Sequence, residues 1–533
     1  MTILTADAGQ SPLRIGIVSL KSRFKGVIAN NPLTVCTIQG FLEERFSPGE
    51  ICFEHVDLNF VSLKELLSRR FHILGIDVKW EEGSEFKEAI QKWPIGGLAS
   101  AFFVAGSFIS ALEKGMSFVA DAIHTYLPGA YIIYGEPEPA VSGLVESYLG
   151  RRPVATVPNL IELDNETRHP REKTDLSKIW HQSYQYTKEM LKCDWYTYYV
   201  ETSRGCPHGR CGFCIENKMS AKGWRGYPLE NVLSVFSDLN QAGIDYVFIY
   251  DKDFWGNDRE RAQELARALI GAGNKVNFTA ALRADAIIRG EHLLGDFRKA
   301  GLRSVFMGAE SFSNSVLERF QKGITAEDNL KAIQILRKHA LDFVMGSIVD
   351  PLESLEELIE SLRVIRRNQL EGHLSRVFNP MEIRSGVNYE TILRELGLLG
   401  EMGENLVYQY DFRDERVAEV MSVAEAWFRE TPQVNFLLIV AKRMLRIDSD
   451  QACMEYEQYQ RYFRMLNGIG VDFMLNVATA VKAGRQRSIA QIKAQSTDLY
   501  RGVVRALTNA LRPDFNVSRN IIEKSKEMGY ASW

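Results

Sequence analysis

The sequence lacks an apolar run long enough to cross a membrane. The longest candidates, around residues 98–110 and 116–123, are interrupted by glycine or by charge, whereas a spanning helix needs about 20 consecutive apolar residues. Low-complexity tracts and short internal repeats are also absent from the sequence. We therefore expect a soluble globular protein with no membrane association.

Neither sign of charge dominates the composition. The 64 lysines and arginines nearly balance the 68 aspartates and glutamates, and the formal net charge is −4. A nucleic-acid-binding protein usually carries a marked basic excess. The charge balance therefore predicts that nucleic acid is not a partner.

Cysteine is scarce, with seven residues in 533, and no secretory leader precedes the first predicted strand. This usage suits a reducing compartment, so we expect a cytoplasmic protein without disulfides. Three of the cysteines, Cys206, Cys211 and Cys214, fall on one short loop after a strand predicted at 195–203. Three thiolates on such a loop can ligate three irons of a [4Fe–4S] cluster and leave the fourth iron without a protein ligand.

A structural zinc site is the alternative for this loop, because His208 lies inside it. Closed zinc sites usually combine two short ligand pairs to reach four ligands, and the sequence has no second pair. Cys193 is the nearest other thiol, but it precedes the strand. The spacing therefore favours the iron–sulfur interpretation over zinc.

The first 150 residues alternate short apolar runs with amphipathic stretches. We predict strands at 13–19, 51–56, 72–78, 101–107 and 131–135, with helices at 34–46, 62–70, 84–92 and 112–126. This alternation predicts an α/β fold that begins with a doubly wound, Rossmann-like domain over residues 1–150. The length of the chain allows about three domains.

Ligands of doubly wound sheets bind at the carboxyl ends of the strands. The candidate binding residues at these ends are Lys21, Asp77, Lys79, Gly106, Ser107, Gly135 and Glu136. No G-x-G-x-x-G opens the first helix, which argues against a dinucleotide. The sequence of this domain alone does not identify its ligand. The ligand could be a nucleotide, a flavin or a cobalamin, or the domain could bind none.

A Pro-rich, charged linker over 151–192 precedes a second series of strands and helices at 193–394. Predicted strands at 195–203, 246–250, 276–282, 304–310, 343–349 and 375–383 indicate a partial (β/α)6 barrel. Four candidate site residues follow its strands, namely Asp251, Arg283, Glu310 and Ser311. A rim of salt bridges is the alternative reading of such charges.

The remaining residues, 395–533, are predicted to form a C-terminal helical domain. The expected helices are 416–429, 435–445, 448–466, 473–483 and 497–511, and the region is rich in aromatic residues. We expect it to cap the barrel mouth, where it would determine the identity of the substrate.

These motifs together resemble the radical S-adenosylmethionine (SAM) enzymes. The cysteine loop, with Phe213 before its last cysteine, is similar to their cluster loop. Residues 251–254, 282–285, 301–311, 322–325 and 332–337 are similar to the branch with an N-terminal cobalamin-binding domain, and Gly135-Glu136 matches its glycine-glutamate turn. The resemblance covers roughly residues 13 to 390. It departs in the cluster loop, which is C-x4-C here rather than the commoner C-x3-C.

The resemblance implies three cofactors: a [4Fe–4S] cluster on the three cysteines, SAM on its open iron, and cobalamin between the first two domains. It implies Glu310 and Ser311 for the ribose or amino end of SAM, Arg283 for the carboxylate, Asp251 near the methionine amine, and the backbone of Phe213 for adenine. The D-x-H-x-x-G motif of some cobalamin proteins is absent, so no histidine is expected as the lower cobalt ligand.

The resemblance further implies a C-methyltransferase that acts on an unactivated carbon of a small natural product, amino acid or peptide. One SAM would methylate cobalamin to methylcobalamin, and another would yield the 5′-deoxyadenosyl radical. An electron donor such as flavodoxin or ferredoxin would be needed. Two alternatives are a non-methylating cyclisation, ring contraction or rearrangement, and a non-enzymatic sensor or scaffold that carries zinc or a cluster.

Overall fold

The computed structural model describes residues 11–20, 29–30, 33–79, 83–106, 117–163, 167–179, 196–216, 223–403, 406–431 and 450–510. Two predicted site residues, Lys21 and Ser107, lie outside these ranges, as does the helix predicted at 435–445. Among the helices in these ranges, none combines the length and the apolar character that a membrane span requires.

A seven-stranded sheet organises the first part of the chain. The first eight strands are β1 (Leu13–Ser19), β2 (Ala29–Asn30), β3 (Ile51–Asp57), β4 (Phe71–Asp77), β5 (Ala99–Ala105), β6 (Tyr131–Ile133), β7 (Leu160–Glu162) and β8 (Thr167–Arg168). All except β2 form one sheet in the order β3-β1-β4-β5-β6-β7-β8. The strands from β3 to β6 in this order are parallel, and β7 and β8 are antiparallel.

Helices cover both faces of this sheet, because its strands are apolar on both sides. The helices are Leu33–Arg45, Leu63–Leu67, Gly83–Lys92, Ser117–Tyr126 and Pro137–Tyr148. One core joins the first and last of them to Ile15 and Ile17, and a second core on the other face contains Phe86 and Ile123. The predicted doubly wound domain is therefore confirmed.

The winding direction of this sheet reverses at β1, since β3 lies on one side of it and β4 on the other. At the carboxyl end, Ser19 is in register with Asp57 of β3 and with Asp77 of β4. Open α/β sheets bind their ligands at this kind of reversal. Strands β7 and β8 come from the predicted linker and extend the sheet at its far edge.

The second sheet contains six parallel strands. The strands that follow in the chain are β9 (Tyr196–Val200), β10 (Ser203–Arg204), β11 (Arg225–Gly226), β12 (Tyr246–Ile249), β13 (Asn277–Leu282), β14 (Leu302–Glu310) and β15 (Asp342–Ser347). The sheet order is β15-β14-β13-β12-β9-β2, while β10 and β11 form a separate antiparallel pair. Strand β2 leaves the first domain to pair with β9, so that backbone hydrogen bonds join the two domains.

The strand predicted at 375–383 is not continuous. Two isolated bridges, Met345 with Leu374 and Val349 with Pro380, and a few backbone hydrogen bonds connect this part of the chain to β15 and the residues after it. A proline has no backbone N–H and so interrupts a strand ladder. The sixth strand of the sheet is β2 at the opposite edge.

Seven helices connect and cover the second sheet within the described residues. They are Leu229–Gln241, Arg259–Gly271, Ala284–Arg289, Leu294–Ala300, Asn314–Arg319, Ala326–Lys338 and Leu355–Arg367. Thr325 and Ser354 start two of them with capping boxes, in which side chain and backbone satisfy each other's hydrogen bonds. These helices place the loops after each strand on one rim.

The last part of the described chain is mainly helical, as predicted, and also holds a small sheet. Its strands β16 (Ile383–Arg384), β17 (Leu399–Met402) and β18 (Val407–Tyr410) are antiparallel in the order β16-β18-β17. The helices are Asn388–Glu395, Glu415–Arg429, Asp450–Lys482 and Ile489–Ala510.

Helix Asp450–Lys482 joins two helices that the sequence predicts as separate. The predicted break contains Gly468 and Gly470. A Cβ atom on Gly470 would lie 3.3 Å from the ring of Phe428. These glycines therefore allow a neighbouring helix to pack closely rather than ending their own helix.

Substitution of Gly106 tests whether the close packing at the carboxyl end of β5 requires a glycine. Its φ is +110°, and a Cβ atom there would overlap the carbonyl oxygen of Val78 and lie 2.8 Å from Asp77 Oδ1. We expect Gly106→Ala to lower the free energy of unfolding by about 2 kcal/mol, because it adds a clash to an unfavourable backbone conformation. Chemical denaturation measures this value. Gly96→Ala, where the added Cβ meets nothing within 4 Å, is the control, and an equal effect in both variants would contradict the interpretation.

Candidate functional site

The cysteine loop begins two residues after β10 and is fixed by the chain around it. The N–H of Gly212 donates to the carbonyl of Phe320 at 3.0 Å, and the N–H of Tyr389 donates to the carbonyl of Gly212 at 3.2 Å. The ring of His208 is within 2.7 Å of the carbonyl oxygen of Gln321. The extra residue of the C-x4-C spacing is accommodated on this outward side of the loop.

The three cysteines of this loop are free and partly buried. Burial, the carboxylate of Glu216 and the neighbouring Cys211 raise the pKa of Cys214 to about 12, against a hydrogen bond from the Glu216 backbone that lowers it. Burial also raises the pKa of Cys211, although Lys322 and Arg283 oppose the shift. Metal binding must therefore displace the thiol protons of Cys211 and Cys214.

Among the residues that the structure describes, no group of three or more His, Cys, Asp or Glu is placed to hold a metal ion.

Asp251, directly beyond β12, is buried and fully engaged by the start of the cysteine loop. It accepts hydrogen bonds from the N–H of Thr202 at 2.8 Å, from the hydroxyl of Thr202 at 2.5 Å, and from the hydroxyl of Ser203 at 2.7 Å. Burial raises its pKa to about 6 despite these donors. Asp251 therefore orients the loop, and its carboxylate is already occupied by donors from this chain.

Arg283, Lys322 and Glu310 form a connected charged group on the rim. Lys322 Nζ lies 2.9 Å from Glu310 Oε1. Arg283 donates to the carbonyl of Lys322 at 2.7 Å and to Asp285 Oδ1 at 2.9 Å. Both cations lie beside the cysteine loop and lower the pKa of Cys211 against its burial.

The conformation of Glu310 is unusual for its residue type. Its φ is +64°, at an irregularity in the pairing of β14 with β15. Cβ atoms on Gly308 and Gly346 would lie 2.8 and 2.9 Å from its carboxylate oxygens. Backbone strain and two glycines thus hold this carboxylate against the sheet edge, a combination often found at functional sites.

Ser311 and Phe213 take different places around this group. Ser311 is buried, and its hydroxyl accepts a hydrogen bond from the N–H of Ser313 at 3.1 Å. The ring of Phe213 packs edge-on against Phe320 at 5.0 Å, and Lys322 Nζ lies 5.9 Å from the centre of the Phe213 ring. Lys322 therefore touches both the loop and Glu310.

Sequence reasoning missed Lys322 and Asp253 as site residues. Asp253 is buried, its Oδ1 has no hydrogen-bond partner within the described ranges, and burial raises its pKa to about 7. The signals were present in the runs 251–254 and 322–325. Only the folded chain brings these residues together with Arg283, which opposes the shift of Asp253.

At the first sheet, Asp77 is buried beside Gly106 and close to Lys79. Its Oδ1 has no hydrogen-bond partner among the residues that the structure describes. Burial raises its pKa to about 6, while the charge of Lys79 opposes the shift. Nearby, Ser19 Oγ lies 3.0 Å from His55 Nε2, and burial lowers the pKa of His55 to about 4. The reversal point of the sheet is thus lined by polar groups.

Gly135 and Glu136 end β6 in different environments. Gly135 has a φ of +86°, and a Cβ atom there would meet nothing within 4 Å. Glu136 is buried in ion pairs with Arg204 and Arg225 of the second domain. Gly135 therefore leaves room for a ligand, whereas the carboxylate of Glu136 is engaged by this chain.

His72 lies within β4. Its Nδ1 accepts a hydrogen bond from the N–H of Arg14 at 2.8 Å, and its ring packs against Tyr148. His72 therefore contributes to the packing and hydrogen bonding of the first sheet.

Residues 200–365 match the Radical SAM superfamily model. The curated relatives include 4′-phospho-dehydrooxetanocin synthase of Priestia megaterium, 27% identical over 32% of this chain and 25% of that protein. They also include the anaerobic magnesium-protoporphyrin IX monomethyl ester cyclase of Cereibacter sphaeroides, 29% identical over 29% of this chain and 26% of that protein. The chain thus spans about a quarter of the length of these relatives.

Two solved structures share the fold over more of the chain. The cobalamin-dependent SAM radical enzyme OxsB, with aqua-cobalamin and SAM bound, has a TM-score of 0.76 at 17% identity and covers 98% of this chain and 85% of its own. The radical SAM methyltransferase TsrM of Kitasatospora setae, with cobalamin and a [4Fe–4S] cluster bound, has a TM-score of 0.56 at 17% identity, over 67% and 73%. The three-part α/β architecture predicted from the sequence is confirmed.

Asp77 gives a test of the electrostatics of the first sheet. Because its folded pKa is raised, the protonated carboxyl stabilises the fold at low pH, and this contribution is lost as the pH rises through about 6. We expect Asp77→Asn to be more stable than the wild type by roughly 2 to 3 kcal/mol at pH 8, and by about half of that at pH 5. Urea denaturation across this range measures the difference.

Asp121→Asn, at an exposed carboxylate on helix Ser117–Tyr126, is the control and should show no such pH dependence. A constant difference between Asp77→Asn and the wild type from pH 5 to pH 8 would show that Asp77 is charged throughout.

Proposed function

We propose a function from the premise that residues 200–365 form a radical SAM domain in a chain with the fold of cobalamin-dependent radical SAM enzymes. The protein would be a cobalamin-dependent radical SAM C-methyltransferase. Its substrate would be a small natural product, an amino acid or a peptide with an unactivated carbon. The observation that carries the proposal is the set of three free cysteines on one loop beside β9.

When bound, the [4Fe–4S] cluster would supply the electron that cleaves SAM to a 5′-deoxyadenosyl radical, and cobalamin would carry the methyl group. Cys206, Cys211 and Cys214 would ligate three irons and leave one open to SAM. The loop is fixed at Gly212 by hydrogen bonds to residues 320 and 389. Because these contacts hold the backbone and leave the thiols free, the loop can receive the cluster without refolding.

The charged group on the rim would bind SAM. Arg283 offers a planar donor fork suited to a carboxylate, and it is already oriented by the carbonyl of Lys322 and by Asp285. Glu310 and Asp253, whose Oδ1 has no hydrogen-bond partner in the described ranges, are acceptors suited to an ammonium or to ribose hydroxyls. Ser311 and the backbone of Phe213 remain candidates for the ribose and adenine contacts.

Asp251 would not contact SAM itself. Its carboxylate holds Thr202 and Ser203, which lead into the cysteines. We therefore assign it to orientation of the cluster loop in place of the direct contact to the methionine amine that the resemblance implies. The unpartnered oxygen two residues further, on Asp253, is better suited to that contact.

The carboxyl edge of the first sheet would bind cobalamin. Gly106 and Gly135 have positive φ values, and no atom of the described residues lies within 4 Å of the place where a Cβ of Gly135 would be. Asp77 offers a buried Oδ1 without a hydrogen-bond partner in the described chain, and Lys79 offers a neighbouring charge. Since a bulky ligand must approach the backbone closely, glycines at these strand ends favour this assignment.

The C-terminal region would close the barrel mouth over the substrate. Tyr408 and Tyr410 of this region pack in the same apolar cluster as Phe213 of the cysteine loop, and Tyr410 packs against Phe412 at 5.4 Å. Aromatic surface next to the loop would exclude water from a radical, whose side reactions need a closed site. We assign residues 1–150, 193–394 and 395–533 to the cobalamin, SAM and substrate domains, and a small reduced protein such as flavodoxin or ferredoxin to electron supply.

A non-methylating radical reaction is the second candidate. It is favoured by the similarity to a synthase and to a cyclase, which are not named as methyltransferases. The likeness in fold to a methyltransferase favours methylation.

The cluster assignment is tested by iron analysis after anaerobic reconstitution. We expect about four irons and four sulfides per wild-type chain, and loss of more than half of the iron in each of Cys206→Ala, Cys211→Ala and Cys214→Ala. Cys52→Ala, which removes an exposed free cysteine outside the loop, should keep all of it. Full iron content in the three loop variants would refute the cluster site.

The reaction is tested by the products of SAM. With a reductant, cobalamin and an accepted substrate, methylation should release S-adenosylhomocysteine and 5′-deoxyadenosine in about equal amounts, because two SAM molecules serve different steps. Chromatography with mass detection measures both. Formation of 5′-deoxyadenosine and a modified product without S-adenosylhomocysteine would favour the second candidate.

A further inference from the structure

A group of buried charged residues joins the first domain to the cysteine loop. Glu136 and Glu138 lie at the start of helix Pro137–Tyr148, directly after β6. Arg204 ends β10, two residues before Cys206, and Arg225 lies in the paired strand β11. We call these four residues the interdomain ion group. The side chain of Glu138 is 0% exposed and that of Arg204 is 10% exposed.

Arg204 and Glu138 form a bidentate pair. Arg204 Nη2 lies 2.7 Å from Glu138 Oε1, and Nη1 lies 3.1 Å from Oε2. Arg204 Nε donates in addition to Glu201 Oε2 at 2.7 Å. Three of its donors are therefore fixed by acceptors on two different domains, which determines both the distance and the angle between them.

Arg225 and Glu136 form the second pair of the group. Arg225 Nη2 pairs with Glu136 Oε1, and Arg225 Nη1 donates to the carbonyl of Thr174 at 2.8 Å. Thr174 closes the group, because its N–H donates to Glu136 Oε2 at 2.7 Å and its hydroxyl donates to Glu138 Oε2 at 2.8 Å. Both glutamates are therefore held from several directions.

The charges of the group are nearly balanced. Burial opposes ionisation of Glu138, but Arg204 outweighs it and lowers the pKa of Glu138 to about 2. Burial raises the pKa of Glu201, which also accepts a hydrogen bond from the hydroxyl of Tyr227 at 2.6 Å. The guanidinium groups of Arg204 and Arg225 thus face the carboxyl groups of Glu136, Glu138 and Glu201, an arrangement of opposite charges that can stay buried.

The other contacts of this segment give it little freedom. Asp251 binds Thr202 and Ser203 from the second sheet, and a Cβ atom on Gly205 would overlap the carbonyl oxygen of Gly223. Strand β2 pairs with β9 immediately upstream. The chain that leads into Cys206 is therefore fixed to its own sheet by Asp251 and to the first domain by Arg204.

We infer that Glu136, Glu138, Arg204 and Arg225 are positioning residues that set the cysteine loop at a fixed place relative to the carboxyl edge of the first sheet. The consequence for catalysis rests on the proposed function, in which the cofactors of the two domains act on one substrate. A displacement of about 1 Å between reacting groups can lower a rate roughly 100-fold.

Geometry explains this group better than stability does. Replacing a buried ion pair with apolar residues is often neutral or stabilising, so such a pair is poor evidence of a gain in stability. Apolar surfaces can slide, whereas a bidentate pair has one preferred alignment. The interdomain ion group is buried between two domains and lies next to Cys206, a proposed metal ligand. Its role is therefore better explained as holding the cysteine loop in place.

The first test uses hydrogen–deuterium exchange on the full chain without cofactors. We expect Glu138→Gln and Arg204→Lys to raise the exchange rates of amides in residues 200–206 at least 10-fold, while the core of the first sheet keeps its protection. Arg45→Gln is the matched control, since the pair Arg45 and Glu146 lies within the first domain. If Glu138→Gln fails to fold, Glu136→Gln replaces it.

The second test measures the spacing of the two metal centres. After reconstitution with iron, sulfide and cobalamin, and reduction with dithionite to make the cluster and the cobalt paramagnetic, we expect pulsed electron paramagnetic resonance to give one narrow cluster-to-cobalt distance in the wild type and in Arg45→Gln. In Glu138→Gln and Arg204→Lys the distribution should broaden or shift, while iron and corrinoid contents stay within about 20% of the wild type.

Unchanged exchange in residues 200–206 together with an unchanged distance in both variants would overturn the inference. A wild-type chain that takes up neither iron nor corrinoid would refute the proposed function, whereas the exchange result would still decide whether the group fixes the loop. The two failures are therefore distinguishable.

Discussion

Parallel pairing of the strands is the constraint on which the candidate sites depend. In each of the two large sheets the central strands run in one direction, so that every loop after a strand emerges on the same edge. Asp77 and Gly106 meet on one sheet for this reason, and Asp253, Arg283 and Glu310 on the other. Residues that are 27 to 57 positions apart in the chain thereby become neighbours.

Charged side chains are buried in two ways at these edges. Some cations and carboxylates of the second sheet pair with one another, as Lys322 does with Glu310 and Arg283 with Asp285. Asp77 and Asp253 instead each keep a buried oxygen without a hydrogen-bond partner in the described chain. Because an unsatisfied buried polar atom costs free energy, these two positions are where a polar ligand would be most strongly accommodated.

The chain segment that leads into the cysteine loop is held from both domains. The interdomain ion group, the pairing of β2 with β9, and the bonds from Asp251 to Thr202 and Ser203 all act on the few residues that lead into Cys206. A loop that must ligate metal gains from being held by its backbone and its flanks, because its own side chains are reserved for the ligand. The same design explains why Asp251 and Glu136 have no free carboxylate despite lying at strand ends.

The sequence by itself determined the local elements and the chemistry of the cysteine loop, since alternation of apolar runs, capping residues and cysteine spacing are local signals. Two predictions from the sequence were wrong, the strand at 375–383 and the break in the helix near Gly468. The bridge at Pro380 and the packing of Gly470 under the ring of Phe428 both depend on residues far away in the chain. Lys322, Asp253 and the pairing of Glu138 with Arg204 were decided only by the tertiary structure. A charged residue reveals its role through its partner and its burial, and neither is written in the residues beside it.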